Sequence, residues 1–337
     1  MKKIILVFII FLLSGCFNYK EVSDLAFISG FGIDYLNDNF HIILEVQEND
    51  EETSSYLLEG SGRTIESAIQ NASLSFNKNL YFINLDILLI SSEAANKKLP
   101  NILDYVTRDN NFSFNFNIAI CDNQKHAMEN ILNKKEIFGR YINSLFKNTD
   151  TNVINIKLDK LLNHYLNDKY DIILPVFNII EDNIIINEAV IFKNKQIIDT
   201  LNEREMALYN ILNNNQKDYY LTLENNIVFR TSHYYTTIIF KKNTLYIMPT
   251  LTGTFMEFES LELNNESKIK EITNKVNEEF NSELDTFIKK IIQNNSDPLG
   301  FKRLTKIKDL PNIKYHINTK IMLENKSLIF KSVGDNS

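Results

Sequence analysis

Two hydrophobic periods alternate along this chain of 337 residues, and each change of period marks an element. Leu25 to Ile33 is apolar enough for a strand, interrupted by Gly30 and Gly32. Asn37-Asp38-Asn39 is turn chemistry, and Phe40 to Gln47 returns as a second strand with period-two features. Asn49 to Ser55 is polar and acidic and reads as a loop. From Arg63 to Lys78 the period lengthens: Ile65, Ala68, Ile69, Ala72 and Phe76 share one helical face. Leu80 to Ile90 reads as a buried strand. Pro100 suits the first turn of a helix ending near Arg108, where its missing N–H leaves nothing unpaired. Phe112 to Ile120 alternates as a strand, and Asp122 can cap a helix through Leu132. Helices are further expected at 137–147 and 157–166. This order predicts helices packed on a mixed sheet.

From Pro175 onward strands dominate. Val176 to Ile180 and Ile184 to Phe192 flank the turn Glu181-Asp182-Asn183, and Lys193-Asn194-Lys195 turns the chain into Gln196 to Asp199. Asn202 can cap a short helix, Glu203 to Leu212. Strands are expected near 219–223, 226–231, 234–241 and 244–252. Residues 267–292 carry the longest helical pattern, with Ile269, Ile272, Val276, Phe280, Leu284, Phe287, Ile288 and Ile291 on one face. Asp297-Pro298-Leu299-Gly300 ends it as a turn cluster, and Ile313 to Leu323 reads as a closing strand. The expected fold class is α+β, with several small mixed-sheet and helix subdomains. Its C-terminal half is β-rich and holds the one long amphipathic helix. The expected division is a leader at 1–15, an N-terminal α+β region at 16–186 and a C-terminal domain at 187–337.

The leader breaks both periods. Lys2 and Lys3 precede an unbroken apolar run of ten residues, Ile4 to Leu13, followed by Ser14, Gly15 and Cys16. Ten helical residues span about 15 Å, half of a hydrocarbon core, so the run is too short to cross a membrane. Leu13-Ser14-Gly15-Cys16 matches the bacterial lipobox, in which small residues admit the peptidase and the cysteine thiol takes the lipid. Lipidation at Cys16 and removal of residues 1–15 are the expectation. The second cysteine, Cys121, then has no disulfide partner and reads as a small buried residue at a strand end. No other stretch approaches 18 apolar residues, so the remainder is expected to be soluble.

Composition narrows the function classes. Hydrophobic residues make up 44% and charged residues 23%, which excludes wholesale disorder. A formal net charge of −7 speaks against nucleic acid as a partner. The chain has no phosphate-loop, zinc-protease, nucleophile-elbow or C-x-x-C motif. Gly30-Phe31-Gly32 lacks the third glycine of a dinucleotide fingerprint, and Gly60-Ser61-Gly62 reads as a loop capping the helix behind it. The five histidines, His41, His126, His164, His233 and His316, lack ligand spacing. No catalytic residue, cofactor or metal is expected.

Motif order carries a resemblance. Glu21, Asp24-Leu25-Ala26 and Gly30-Phe31-Gly32-Ile33-Asp34 follow the lipobox, with Phe17-Asn18 and Lys20 where Trp-Asp and Arg are usual. Gly62, Thr64-Ile65, Ala68, Leu80-Tyr81-Phe82, Leu103-Asp104-Tyr105 and Arg108-Asp109 come next. In the second half stand Glu188-Ala189-Val190-Ile191-Phe192-Lys193, Leu201-Asn202-Glu203-Arg204-Glu205 and Asp297-Pro298-Leu299-Gly300-Phe301, with Lys302 in place of a final glycine. In this order they resemble the Ger(x)C family, the lipoprotein C subunits of spore germinant receptors. The resemblance implies a non-enzymatic lipoprotein on the outer leaflet of the spore inner membrane. Its implied partners are a large A subunit and a transporter-like B subunit, with no direct small-molecule ligand. The rival reading is a solute-binding lipoprotein of a transporter, which needs two lobes of repeated β-α units.

Overall fold

A computed structural model describes residues 24–47, 55–74, 76–148, 152–167, 170–194, 196–215, 218–223, 227–257 and 266–324. The leader, Cys16 and Glu21 lie outside them. Strands β1 (Leu25–Leu36) and β2 (Asn39–Gln47) form the expected hairpin, its turn made by Asn37 and Asp38 at φ of 49° and 60°. Short asparagine and aspartate side chains tolerate that left-handed backbone. β3 (Ser55–Gly62) then pairs antiparallel with β2. The capping loop expected at Gly60-Ser61-Gly62 is therefore the end of a strand, which its exposed and half-buried pattern hides from a search for apolar runs.

Helix α1 (Ile65–Ser73) is shorter than expected and is capped by Thr64 in a box with Ser67. The expected strand from Leu80 to Ile90 is two pieces, β4 (Asn79–Tyr81) and β5 (Ile87–Ile90), joined by a turn in which Leu85 N donates to Phe82 O. Pro100 lies inside α2 (Ser92–Arg108), and not in its first turn, because Ser91 is the cap. Only Asn117–Ile120 of the alternating segment is a strand, β6; Phe112 and Phe116 before it join a buried aromatic group. Helices α3 (Gln124–Asn133), α4 (Phe138–Asn148) and α5 (Leu158–Tyr165) follow where expected. β7 (Ile172–Ile180), β8 (Asn183–Lys193) and β9 (Gln196–Asn202) complete the first sheet, in the order β3-β2-β1-β5-β6-β7-β8-β9 with β4 beside β1. Its centre, β1-β5-β6-β7, is parallel and its flanks antiparallel. Residue 187 falls within β8, so chain on both sides of it builds this sheet.

Helices α1 and α2 cover one face of the sheet through Ala68, Leu99 and Ile102 against Phe31, Leu88 and Ile118. Helices α3 and α4 cover the other through Met128, Phe138 and Ile142 against Ile87, Leu89 and Ala119. β5 and β6 are buried along their whole length, as a parallel centre with helices on both faces demands.

After α6 (Glu203–Leu212), strands β10 (Tyr220–Leu223), β11 (Ile227–Lys241), β12 (Thr244–Glu257), β13 (Lys314–Ile317) and β14 (Lys320–Leu323) make a second sheet. β11 is a single strand where two were expected; a bulge between Thr231 and His233 shifts the inward-facing set by one. The closing strand is likewise split, and both pieces run parallel to β12. Helix α7 (Glu266–Gln293) packs the predicted apolar face, Val276, Phe280, Leu284, Phe287 and Ile288, into the core that this sheet shares with the first.

Candidate functional site

Strands β1, β5 and β6 run side by side, Ile33 beside Ile90 and Ile90 beside Ile120. The loop after β5 leads to α2 on one face, and the loop after β6 leads to α3 on the other. Open α/β sheets form a crevice between two such loops and bind their ligands there. Here the surroundings are a cleft of about 370 Å³ whose lining includes Asp34, His41, Glu59, Asp122, Gln124 and Lys125.

The chain fills the crevice with its own groups. Asp34, which closes the Gly-x-Gly-Ile-Asp motif, accepts through Oδ1 from Tyr35 N at 2.7 Å and from the Ser91 hydroxyl. Ser91 Oγ in turn accepts from Ala94 N at 3.0 Å and so caps α2. Asp122 was expected to cap its own helix. It accepts instead from Ser92 N at 2.6 Å and Ser92 Oγ at 3.1 Å, because α3 starts two residues later behind Asn123. Two carboxylates thus hold the positive end of α2. Gln124 closes the third side by donating to Ile33 O at 2.8 Å.

The glycines explain the close approach. On Gly32 a Cβ would lie 2.5 Å from Ile43 Cγ2 and 2.8 Å from Gln124 Oε1. On Gly30 it would lie 3.2 Å from the Phe138 ring. Both face the side covered by α3 and α4, and their missing side chains let those helix starts sit on the strand.

Glu45 is the site residue that sequence reasoning missed. It is 0% exposed on β2. Its Oε1 accepts from Ser55 Oγ at 2.8 Å and Phe138 N at 2.5 Å; its Oε2 accepts from Ser29 Oγ at 2.5 Å and Gly139 N at 2.9 Å. A buried carboxylate here serves as the cap of α4, four donors replacing its water. The signal available was a glutamate between Leu44 and Val46 in an apolar run.

A second constellation ties the two halves. Asp297 accepts from Phe301 N and Lys302 N, each at 2.7 Å, which starts α8 (Phe301–Thr305). Its own N–H donates to Asp171 Oδ2 at 2.6 Å, and its carbonyl accepts from Asp171 N at 3.0 Å. Burial raises both carboxyl pKa values above the ordinary range, against the lowering effect of these hydrogen bonds. Gly300 has φ of 72°, and a Cβ there would run into the Tyr170 ring.

Cys121 is fully buried at the end of β6, and burial pushes its thiol up to about 12. It stays protonated at neutral pH and is a poor nucleophile. Among the described residues, no three of His, Cys, Asp and Glu group as a metal set, and no helix is long and apolar enough to cross a membrane.

Residues 18–179 match the family model of the spore germination protein N-terminal domain, and residues 187–325 match that of the spore germination B3/GerAC-like C-terminal domain. Spore germination protein KC of Bacillus subtilis (strain 168) is 27% identical over 137 residues, 36% of this chain and 33% of that protein. Spore germination protein GerQC of Bacillus cereus is 23% identical over 314 residues, 87% of this chain and 86% of that protein. The crystal structure of the GerBC protein shares the fold, with a TM-score of 0.58 at 11% identity over 88% of this chain and 97% of that one. The two domain matches follow one another in order along the sheets and helices described above, and by them the chain belongs to the GerAC-like, or Ger(x)C, family of spore germination proteins.

Proposed function

We propose that the chain is a lipid-anchored, non-catalytic subunit of a spore nutrient germinant receptor, required for its assembly and signalling. The observation that carries this reading is the succession of two germination domains, 18–179 and 187–325, directly behind a lipobox ending at Cys16. A thioether lipid at Cys16 holds the mature chain on the outer leaflet of the spore inner membrane. Each buried CH₂ of its acyl chains contributes about 0.8 kcal/mol. The tether raises the local concentration of the folded part for membrane-embedded A and B subunits. Internal satisfaction of the crevice supports a role in assembly, with no turnover of a substrate: Asp34, Ser91 and Asp122 spend their hydrogen bonds on the start of α2. The solute-binding alternative finds no support, since the first sheet is one mixed layer and the second sheet consists of strands without repeated β-α units.

Cys16→Ala tests the reading. The protein should leave the membrane fraction or persist as uncleaved precursor, and spores should lose response to the nutrients of this receptor only. Intact-mass measurement of an unmodified mature Cys16 would overturn the anchor. Tight calorimetric binding of an amino acid or sugar to the isolated chain would restore the solute-binding reading.

A further inference from the structure

We propose that the end of the first sheet at which β1 begins rests on the lipid surface, with Leu74, Ile83 and Phe114 as its contacts. The inference rests on the anchor proposed at Cys16. Single exposed apolar side chains are ordinary on a protein surface. These three share one end of the sheet. They are 84%, 37% and 51% exposed, respectively. Leu25 of β1 lies beside Asn79 of β4, Gly30 beside Ile87 of β5, and Ile87 beside Asn117 of β6. Ile83 and Phe114 each stand a few residues before β5 and β6, and so at the level where β1 starts. Leu74 follows the last turn of α1. A single groove joins the three neighbourhoods, lined by Ser73, Lys78, Asn79, Phe82 and Asn111 among others. At this end the buried Phe82 and Phe112 rings stack at 4.6 Å, and Asn79 Nδ2 donates to Asp24 O at 3.4 Å.

The length of the tether selects this end. Eight Cα-to-Cα steps lead from Cys16 to Asp24, a reach of roughly 26–29 Å when fully extended. β1 itself has 12 residues, which at about 3.3 Å each span roughly 40 Å. The tether is too short to carry the chain past the whole strand and lay its far end on the bilayer. That far end carries an excess of acid, Asp34, Glu59, Asp122 and Glu129 against the single cation Lys125 in the lining of its cleft, and an anionic lipid surface repels the surplus. The near end is rimmed by exposed neutral amides, Asn77, Asn79, Asn84, Asn111 and Asn115, and these are far less costly than charges beside headgroups. Of its carboxylates, Asp24 is exposed, whereas Asp104 pairs with Arg108 at 2.7 Å, Asp109 accepts from Asn111 N at 2.9 Å and Glu66 accepts from the Tyr105 hydroxyl at 2.8 Å; Lys78 lines the same groove.

The test uses full-length lipidated protein in vesicles of phosphatidylcholine and phosphatidylglycerol. Leu74→Cys, Phe114→Cys and, at the far end, Glu129→Cys each receive an environment-sensitive fluorophore; buried Cys121 is protected from label. The expected result is blue-shifted emission at 74 and 114, with quenching by an acyl-chain nitroxide several-fold greater than at 129. Equal emission and quenching at all three positions, in protein that floats with the vesicles, would overturn the proposal and leave the anchor standing. A blue shift without nitroxide quenching, seen only after co-reconstitution with other receptor subunits, would assign the patch to a protein partner and overturn the lipid contact. Unmodified Cys16 by intact mass would overturn the anchor, and this inference with it.

Discussion

Gly32 is a position in the candidate site at which one added side chain meets packed neighbours on both sides. A Cβ there would come within 2.5 and 2.8 Å of side chains held by the sheet and by the Gln124–Ile33 hydrogen bond, so neither gives way cheaply. Gly32→Val should cost about 1–3 kcal/mol through overpacking. Gly30→Ala, whose nearest neighbour lies at 3.2 Å, should cost less. Urea midpoints of the two variants check the order, and spores carrying Gly32→Val should lose response to the nutrients of this receptor. Glu45 is the opposite case, a large group that belongs where apolar residues surround it. Glu45→Ala strips acceptors from two hydroxyls and two backbone N–H groups at once. A loss of about 3 kcal/mol or more is expected, since each buried donor left unpaired costs about 1–3 kcal/mol. Glu45→Gln should recover only part of it, because the amide nitrogen would face donors. A urea midpoint for Glu45→Ala equal to that of the parent would show that the buried carboxylate is not what holds the start of α4.

Element ends are set by a few side chains. Asn202 caps α6 in a reciprocal box, accepting from Glu205 N at 3.0 Å while Glu205 Oε2 accepts from Asn202 N at 3.0 Å. Asn202→Ala should lower stability by about 1 kcal/mol. Thermal unfolding would show it as a lower Tm, and an unchanged Tm would count against the cap. Glu205 also receives Lys290 Nζ of α7 at 2.9 Å, so the same residue joins a cap to the docking of the long helix. Where one local signal is clear, the Asn202 cap for α6 and the apolar stripe for α7, the helix bounds were legible within a residue. At α2 two signals conflicted: Pro100 points to a helix start, whereas Ser91 is the true cap. Helix interiors tolerate a proline when the cap and the buried face, here Leu99, Ile102 and Leu103, outweigh the lost hydrogen bond.

Across the whole molecule, the Asp171–Asp297 contact makes the junction sensitive to pH. Both carboxyl groups titrate above the ordinary value of 3.8 in the folded protein, burial being the first cause. Between the unfolded and folded pKa values, folding takes up protons, so stability rises as pH falls through that window. At neutral pH the ionised pair is a cost. Asp171→Asn keeps an acceptor for Asp297 N and removes one charge. It should therefore raise Tm at pH 7 and have less effect as pH approaches 4. A variant destabilised at pH 7 and restored at low pH would contradict this sign.

Local pattern was readable because it depends on neighbours in sequence. The hairpin turns at Asn37-Asp38 and Glu181-Asp182, the α6 cap and the α7 stripe follow from backbone preference and periodicity alone. The lipobox and the motif order also stand in the sequence, and the motif order led to the family. The candidate site was less legible. Asp34 and Gly32 were visible as a motif, but their work was not, because Ser91, Gln124 and Asp122 reach them only after β1, β5 and β6 align. Glu45 was hidden for the same reason: its four donors come from Ser29, Ser55, Phe138 and Gly139, and its burial depends on α4 landing above β1. β3 escaped notice because an edge strand covered on one face lacks a continuous apolar run. Sequence proximity sets turns, caps and stripes; which buried carboxylate meets which helix start is set by contacts between residues tens of positions apart, and only the packed sheet brings them together.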